Sequence, residues 1–236
     1  PAAADSLRQL QGFNITIPHK MAILPMLDAL DESAARYQSV NCVAQKDGKL
    51  IGYNTDCDGF TLSVKDFPMN GKVLLVGCGG VGRMMALEAL RCGADLTIGI
   101  LPRHLSRVAA FVDDLKHQMP QASVRYALTE DLNEPFDVLL NASPVGMYPN
   151  STDCPVSDAL IDQADYFFDV IYNPTQTVLL RKAQAQGKVV MGGAAMLVLQ
   201  AVRAHEIWNG DSYTPEQIAS IIQEMEAKID AQNAAK

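Results

Sequence analysis

The sequence predicts an α/β protein with a doubly wound parallel sheet and a second, smaller α/β domain. Three observations predict it. Short apolar strands alternate with helical stretches between about Lys72 and Met191, the pattern that right-handed βαβ units require. Glycines cluster at Gly77, Gly79, Gly80 and Gly82, between the first of those strands and the first helix. The residues before Phe67 keep a different rhythm, which asks for a separate unit. The expected division is 1–66 with 200–236 for the smaller domain and 67–199 for the larger.

In chain order, Ala2 to Gln11 reads as helix, Gly12 breaks it, and Phe13 to Ile17 alternates like a strand that Pro18 stops. Met21 to Leu30 has apolar residues at Met21, Ile23, Leu24, Leu27 and Leu30, a helical spacing. Val40 to Ala44 and Leu50 to Tyr53 read as strands around the Asp47-Gly48 turn, a hairpin signal. The larger domain begins with a buried-type strand, Lys72 to Val76, and a helix from Val81 to Cys92. Further strands are expected at Leu96 to Ile100, Val124 to Leu128, Val138 to Asn141, Tyr166 to Val170 and Val189 to Met191. Helices are expected at Leu105 to Lys116 and Val178 to Gln186. The tail holds helices Ala194 to Trp208 and Pro215 to Ala231, the second with Thr214 as N-cap.

Composition narrows the function classes. The 236 residues carry a net charge of −8, which repels phosphate backbones and argues against a nucleic-acid partner. Five cysteines with no C-x-x-C suit a reducing cytoplasm rather than a disulfide framework or a zinc knuckle. His19, His104, His117 and His205 have no metal-ligand spacing, so no metal is expected. No apolar run approaches the roughly 20 residues of a membrane span, and no basic-then-apolar leader occurs.

The glycine cluster carries the first chemical signal. A pyrophosphate can approach the N–H groups of a helix N-terminus only where side chains do not block it. A strand, a glycine turn, a helix and a second strand stand here in the order that a dinucleotide site needs. Beyond that second strand come Arg103 and Arg107, with no carboxylate between Asp95 and Asp113. A guanidinium fork matches the 2′-phosphate of NADP, where an acid would match the free hydroxyl of NAD. A tight turn with no ligand, and two solvated arginines, are the plainer alternatives.

The second signal is polar. Thr16 and Lys20 flank Pro18 at one strand end, and Asn54, Thr55 and Asp56 follow another. Exchange between an alcohol and a ketone needs a group that gives or takes the hydroxyl proton while hydride moves, and a lysine beside an aspartate can do this. A Lys–Asp pair is more often a surface ion pair, so spacing alone does not establish the chemistry.

Taken in order, these segments resemble the shikimate dehydrogenase family. The matching stretches are Asn14-Ile15-Thr16-Ile17-Pro18-His19-Lys20, Val40-Asn41, Tyr53-Asn54-Thr55-Asp56 with Gly59, and the glycine loop. Further on come Asn141-Ala142-Ser143-Pro144 with Gly146-Met147, and Asp169-Val170-Ile171-Tyr172 with Pro174, Thr177, Leu179 and Leu180. The last is Gly193 with Met196-Leu197 and Gln200. The resemblance implies a Rossmann-type NADP domain, a smaller substrate domain and a reaction in the cleft between them. It implies NADPH-dependent reduction of 3-dehydroshikimate to shikimate, a step towards aromatic amino acids, with Lys20 and Asp56 as the catalytic pair. Thr16, Asn41, Asp56, Tyr172 and Gln200 would hold the substrate. Gly77, Gly79 and Gly80 would cradle the pyrophosphate, and Arg103 and Arg107 would take the 2′-phosphate. Asn141, Ser143, Gly193 and Met196 would line the nicotinamide end.

The sequence departs from the family in places. The family's βαβ segment with a Ser-x-Ser element would lie before the position of Pro1, and ahead of Gly12 the sequence offers only Ser6, with no second serine two residues away. Pro102-Arg103-His104 stands where the family has Asn-Arg-Thr, and Cys42 replaces a usual threonine. A quinate/shikimate dehydrogenase with relaxed NAD or NADP use is therefore an alternative. A non-catalytic dinucleotide-binding regulator is another, although it would have no need of both Lys20 and Asp56. The expected partner is a small molecule, with neither nucleic acid nor membrane, in a monomer or homodimer.

Overall fold

The computed structural model describes residues 6–16, 18–101 and 104–234. The chain divides into two compact units: everything up to Leu62 with Leu197–Ile221, and Ser63–Met196 with everything from Ile222.

The first unit is built on a mixed four-stranded sheet. Its strands are β1 (Gly12–Asn14), β2 (Ala29–Leu30), β3 (Cys42–Lys46) and β4 (Lys49–Tyr53), in the order β1-β3-β4-β2. β3 and β4 form the expected hairpin, with Lys46 opposite Lys49. Asp47 and Gly48 between them both take positive φ, 51° and 76°, as a two-residue turn matched to strand twist demands. Short helices follow β2 and β4: α1 (Glu32–Tyr37), capped by Asp31, and α2 (Thr55–Ser63).

One expectation fails here. Met21 to Leu30 is not a helix but helical turns, a 3-10 turn at Leu24–Met26 and then β2. Pro25 removes a backbone donor. The main chain beyond it bonds to β4 instead, Asp28 N to Leu50 O at 2.9 Å and Asp31 N to Gly52 O at 2.8 Å. The apolar spacing is still used, because Ile23, Leu24, Leu27 and Leu30 pack into this unit's core with Val40, Val43 and Leu50. Gly52 makes the room: a Cβ there would lie 2.6 Å from the Leu27 side chain. The helix expected over Ala2 to Gln11 lies partly outside the described residues, and from Arg8 on the chain is in turns.

The second unit is a six-stranded, wholly parallel sheet. In chain order its elements are β5 (Lys72–Val76), α3 (Gly80–Arg91), β6 (Asp95–Ile100), α4 (Leu105–Gln118), β7 (Val124–Leu128) and β8 (Phe136–Asn141). Then come α5 (Asp158–Asp162), β9 (Ala164–Asp169), α6 (Val178–Ala185) and β10 (Val189–Gly192). The spatial order is β10-β9-β8-β5-β6-β7. Counted within the unit this is 3-2-1-4-5-6 read from the β7 edge, the doubly wound order in which dinucleotides bind where the order reverses. That point is the junction of β5 and β8. Leu74, Leu139, Phe167, Leu160 and Leu179 are buried on one face, as strands covered by helices require.

Two helices complete the chain, α7 (Gly193–Asn209) and α8 (Pro215–Ala234). Thr214 caps α8 as expected. Its hydroxyl accepts from Gln217 N at 3.3 Å while Gln217 Oε1 accepts from Thr214 N at 2.9 Å, a reciprocal capping box. Residues 222–234 were expected in the smaller domain but belong to the parallel-sheet unit. Asp230 accepts from the Thr175 hydroxyl at 2.6 Å, and Asn233 donates to Asn173 at 2.9 Å.

Candidate active site

Within the first unit the polar motifs converge. Lys20 Nζ donates to Asp56 Oδ2 at 2.5 Å, with the two side chains 23% and 20% exposed. Asp56 sits in the first turn of α2, directly after β4. Lys20 is held by its main chain, whose carbonyl accepts from Val40 N at 2.9 Å. Neither group is exposed enough to be an ordinary surface ion pair, nor so buried that protons cannot exchange with water.

Asn41 organises the pair. Its amide nitrogen donates to Asp56 Oδ1 at 2.9 Å, to Thr55 Oγ1 at 3.0 Å and to Gln200 Oε1 at 3.3 Å. Its oxygen accepts from Thr55 N at 2.7 Å. Gln200 in turn donates to Leu197 O at 3.0 Å within α7. The α7 segment is seated by Trp208, whose indole donates to Val43 O at 2.9 Å across a gap that Gly12 leaves open. Lys20, Asp56, Asn41 and Gln200 therefore form one cluster. Thr55 belongs to it and carried no role in the sequence reading. Its only signal was its place beside Asp56. Thr16 is exposed, near Lys20 in the chain, with its carbonyl accepting from His19 N at 2.9 Å. Tyr172 lies in the other unit and is 47% exposed.

In the second unit the glycine loop opens on a cavity of about 280 Å³ at the β5–β8 junction. Gly77, Cys78 and Gly79 form one wall, and Ala142, Ser143, Pro144 and Val145 another. Gly99, Ile100, Leu101, His104, Arg107 and Thr129 close the far end. The glycines divide by role. Gly77 takes φ +106°, and a Cβ there would meet the Ala142–Ser143 peptide at 2.9 Å. Gly82 lets α3 approach β5, since its Cβ would lie 2.6 Å from Gly77 O. At Gly79 and Gly80 a Cβ would meet nothing within 4 Å, so open space remains above the N-terminus of α3. That is the room a pyrophosphate needs against unpaired helix N–H groups.

The remaining expected cofactor residues fare differently. Arg107 and Ser143 line the cavity, whereas Arg103 lies outside the described residues. Asn141 was expected at the nicotinamide end, but it is fully buried. Its amide nitrogen donates to Asp169 Oδ1 at 3.0 Å, and its oxygen accepts from Ser143 N at 3.0 Å and Ser143 Oγ at 2.7 Å. Its hydrogen-bonding capacity is spent on the loop wall rather than on the cavity. Gly193 and Met196, at the start of α7, are not among the lining residues. Gly193 permits a close backbone approach, as a Cβ there would lie 2.1 Å from Val170 O. Met196 is buried, as helical methionine commonly is. His104 and Thr129 line the cavity without having been assigned to it, and Thr129, well beyond the loop in sequence, carried no local signal.

Asp169 is the most perturbed acid near this loop. Burial among neutral groups pushes its carboxyl up to about 6, against hydrogen bonds from Ile171 N, Thr177 and Asn141 that favour the charged form. Among the described residues no group of side chains is arranged to hold a metal ion. No helix among them is long and apolar enough to cross a membrane.

Comparison with known proteins gives a consistent result. The family model described as the shikimate dehydrogenase substrate binding domain matches residues 1–43. A shikimate dehydrogenase (NADP(+)) from Bacillus licheniformis is 35% identical over 217 residues, 90% of this chain and 77% of that protein. Shikimate 5-dehydrogenase from Thermus thermophilus, solved with NADP(H) and shikimate, superposes with a TM-score of 0.80 at 29% identity, covering 95% of this chain and 83% of that one. A quinate dehydrogenase from Corynebacterium glutamicum, solved with NAD, also reaches 0.80, at 28% identity and with coverages of 94% and 80%.

Proposed function

The chain belongs to the shikimate dehydrogenase family, and from that membership we propose that it catalyses reversible NADPH-dependent reduction of 3-dehydroshikimate to shikimate. The observation that carries the reading is the Lys20–Asp56 contact at 2.5 Å, braced by Asn41.

Lys20 is the proton donor in this reading. Reduction adds hydride to the carbonyl carbon and a proton to its oxygen. The Lys20 ammonium gives that proton and is reprotonated from water, which its partial exposure allows. Asp56 orients the ammonium, and Asn41 fixes the plane of Asp56. In the oxidative direction the same amine takes the hydroxyl proton. Thr16, Asn41, Tyr172 and Gln200 are the proposed substrate contacts, Gln200 and Asn41 through the cluster around Asp56.

NADP, when bound, supplies or receives the hydride. The residues present fit it. The open space at Gly79 and Gly80 suits the pyrophosphate, with Gly77 shaping the turn. Arg107 at the far wall suits the 2′-phosphate, and the family resemblance assigns Arg103 to the same group. Ser143 stands at the opposite wall, and Gly193 and Met196 are assigned to the nicotinamide end. We place the protein in the cytoplasm, where its free thiols stay reduced, acting on small molecules as a monomer or homodimer.

The test is an assay of the purified protein with shikimate or quinate and NADP or NAD. The expected result is turnover that is highest with shikimate and NADP. Comparable rates with quinate or with NAD would support the relaxed enzyme instead. That second reading draws on the similarity to an NAD-bound quinate dehydrogenase and on Pro102 and His104 in the arginine segment. Binding of NADP without turnover of either acid would leave the non-catalytic regulator.

A further inference from the structure

We propose that Asp169 is a positioning residue for the dinucleotide, acting through Asn141 on the turn that walls the cavity. The inference rests on the reading of that cavity as the dinucleotide site. Asp169 and Asn141 are the last residues of the adjacent parallel strands β9 and β8, and they stand directly opposite each other. Both are 0% exposed, so neither can touch a ligand in the cavity.

An ionised carboxylate only accepts hydrogen bonds, and both oxygens of Asp169 do so. Oδ1 accepts from Asn141 Nδ2 at 3.0 Å and Ile171 N at 3.1 Å, and Oδ2 accepts from Thr177 Oγ1 at 2.8 Å. This fixes which way the Asn141 amide points. With its nitrogen held by Asp169, its oxygen accepts from both Ser143 N and Ser143 Oγ in the turn, and the nitrogen reaches the same turn through a longer contact to Val145 O at 3.5 Å. Ser143 Oγ then accepts from Val145 N at 3.3 Å. The relay thus runs from a buried charge to residues 143–145, all of which face the cavity. The turn has no slack on its other side, because the Ala142–Ser143 peptide already lies against Gly77. A shift in the Asn141 amide is therefore passed to the wall facing the glycine loop.

A purely structural role would run through the other arm. Thr177 caps α6, accepting from Leu180 N at 3.3 Å, and does not reach the cavity. The two arms can be cut separately. NADP+ affinity is measured by titration calorimetry on the whole chain, with thermal unfolding in parallel. Asp169→Ala leaves the Asn141 amide nitrogen only its long contact to Val145 O at 3.5 Å and should raise the NADP+ Kd by about tenfold or more. Asp169→Asn keeps an oxygen towards Asn141 and can offer its amine to Thr177, so it should bind within about threefold of wild type. Thr177→Val should lower the unfolding midpoint while leaving Kd within the same about threefold range. If Asp169→Ala does not fold, Asn141→Ala cuts the same arm and should show the same rise. A folded Asp169→Ala or Asn141→Ala protein with wild-type affinity overturns the proposal. So does a Thr177→Val protein that loses as much affinity as Asp169→Ala. A wild-type chain that takes no NADP+ refutes the cavity reading itself, which is a different result.

Discussion

Asp56 meets Lys20 on one carboxylate oxygen, at 2.5 Å, and Asn41 on the other, at 2.9 Å. The carboxylate is therefore clamped from both sides, and the ammonium is aimed by a group that cannot itself rotate away. The clamp is built from three separate stretches of chain, the turn after β1, the residue before β3 and the first turn of α2.

If that ammonium moves the proton, Lys20→Ala should lower kcat by about 10²–10⁴-fold, the usual span for losing a positioned acid–base group. The NADP+ Kd should stay within about threefold, since Lys20 is not among the residues that line the glycine cavity. Lys20→Arg should not restore the rate, because a guanidinium does not release its proton in this pH range. Steady-state kinetics and a parallel binding titration decide it, and unchanged turnover in Lys20→Ala ends the mechanism.

The glycines separate packing from ligand access. Gly79 has an ordinary φ of −81° and open space around it, so Gly79→Ala should shift stability by no more than about 0.5 kcal/mol. Its new methyl would nonetheless stand where phosphate oxygens must come, and the Kd for NADP+ should rise about tenfold. Gly77→Ala should instead cost about 1–3 kcal/mol of stability, because φ is +106° and the methyl meets backbone. Thermal unfolding and calorimetry on the two variants should give opposite patterns.

Cofactor choice is read from Arg107. A charge-assisted hydrogen bond to the 2′-phosphate is worth about 1.5–3 kcal/mol, so Arg107→Ala should weaken NADP+ about tenfold or more. NAD, which lacks that phosphate, should be affected far less, and the NADP+ effect should shrink as salt is added. Arg103→Ala is expected to behave alike. Equal losses for both dinucleotides would remove the arginine argument.

Asp169 also leaves a signature in stability against pH. Its carboxyl is raised by burial to about 6 in the folded chain, against an ordinary value of 3.8. Between those limits the folded state holds the proton more tightly than the unfolded state. This contribution is therefore full below about pH 4, and it is lost as pH rises through about 6. The loss is at most about 3 kcal/mol. Asp169→Asn cannot titrate, so denaturant midpoints compared at pH 4 and pH 7 should fall less in the variant than in the wild type. Parallel curves for the two proteins would show that the carboxylate is not so shifted.

Much of the fold was legible because local chemistry dictates it. Asp47-Gly48 specifies a tight hairpin since both residues tolerate positive φ. The apolar runs at Lys72–Val76 and Val138–Asn141 specify doubly covered strands. The glycines after β5 specify a backbone that something must approach. Thr214 announces the start of α8 through its own side chain. Each of these signals lies within a few residues of the structure it produces.

What only the tertiary structure decided lies where partners are remote. The spacing from Met21 to Leu30 marked Ile23, Leu24, Leu27 and Leu30 for the core correctly, although Met21 is 67% exposed, but core packing does not say what the main chain pairs with. The carbonyls of Leu50 and Gly52 settled that in favour of β2. Residues 222–234 join the parallel-sheet unit, and the contacts of Asp230 and Asn233 that hold them there are with residues about 55 and 60 positions away. Asn141 looked like a ligand contact and proved to be a brace, because its partner Asp169 lies 28 residues on. By itself, then, the sequence determined the residue types, the strand and helix signals and the parallel character of the larger unit's sheet. Which polar group faces a cavity and which is consumed inside the protein depends on hydrogen bonds between distant segments, and those exist only once the chain has folded.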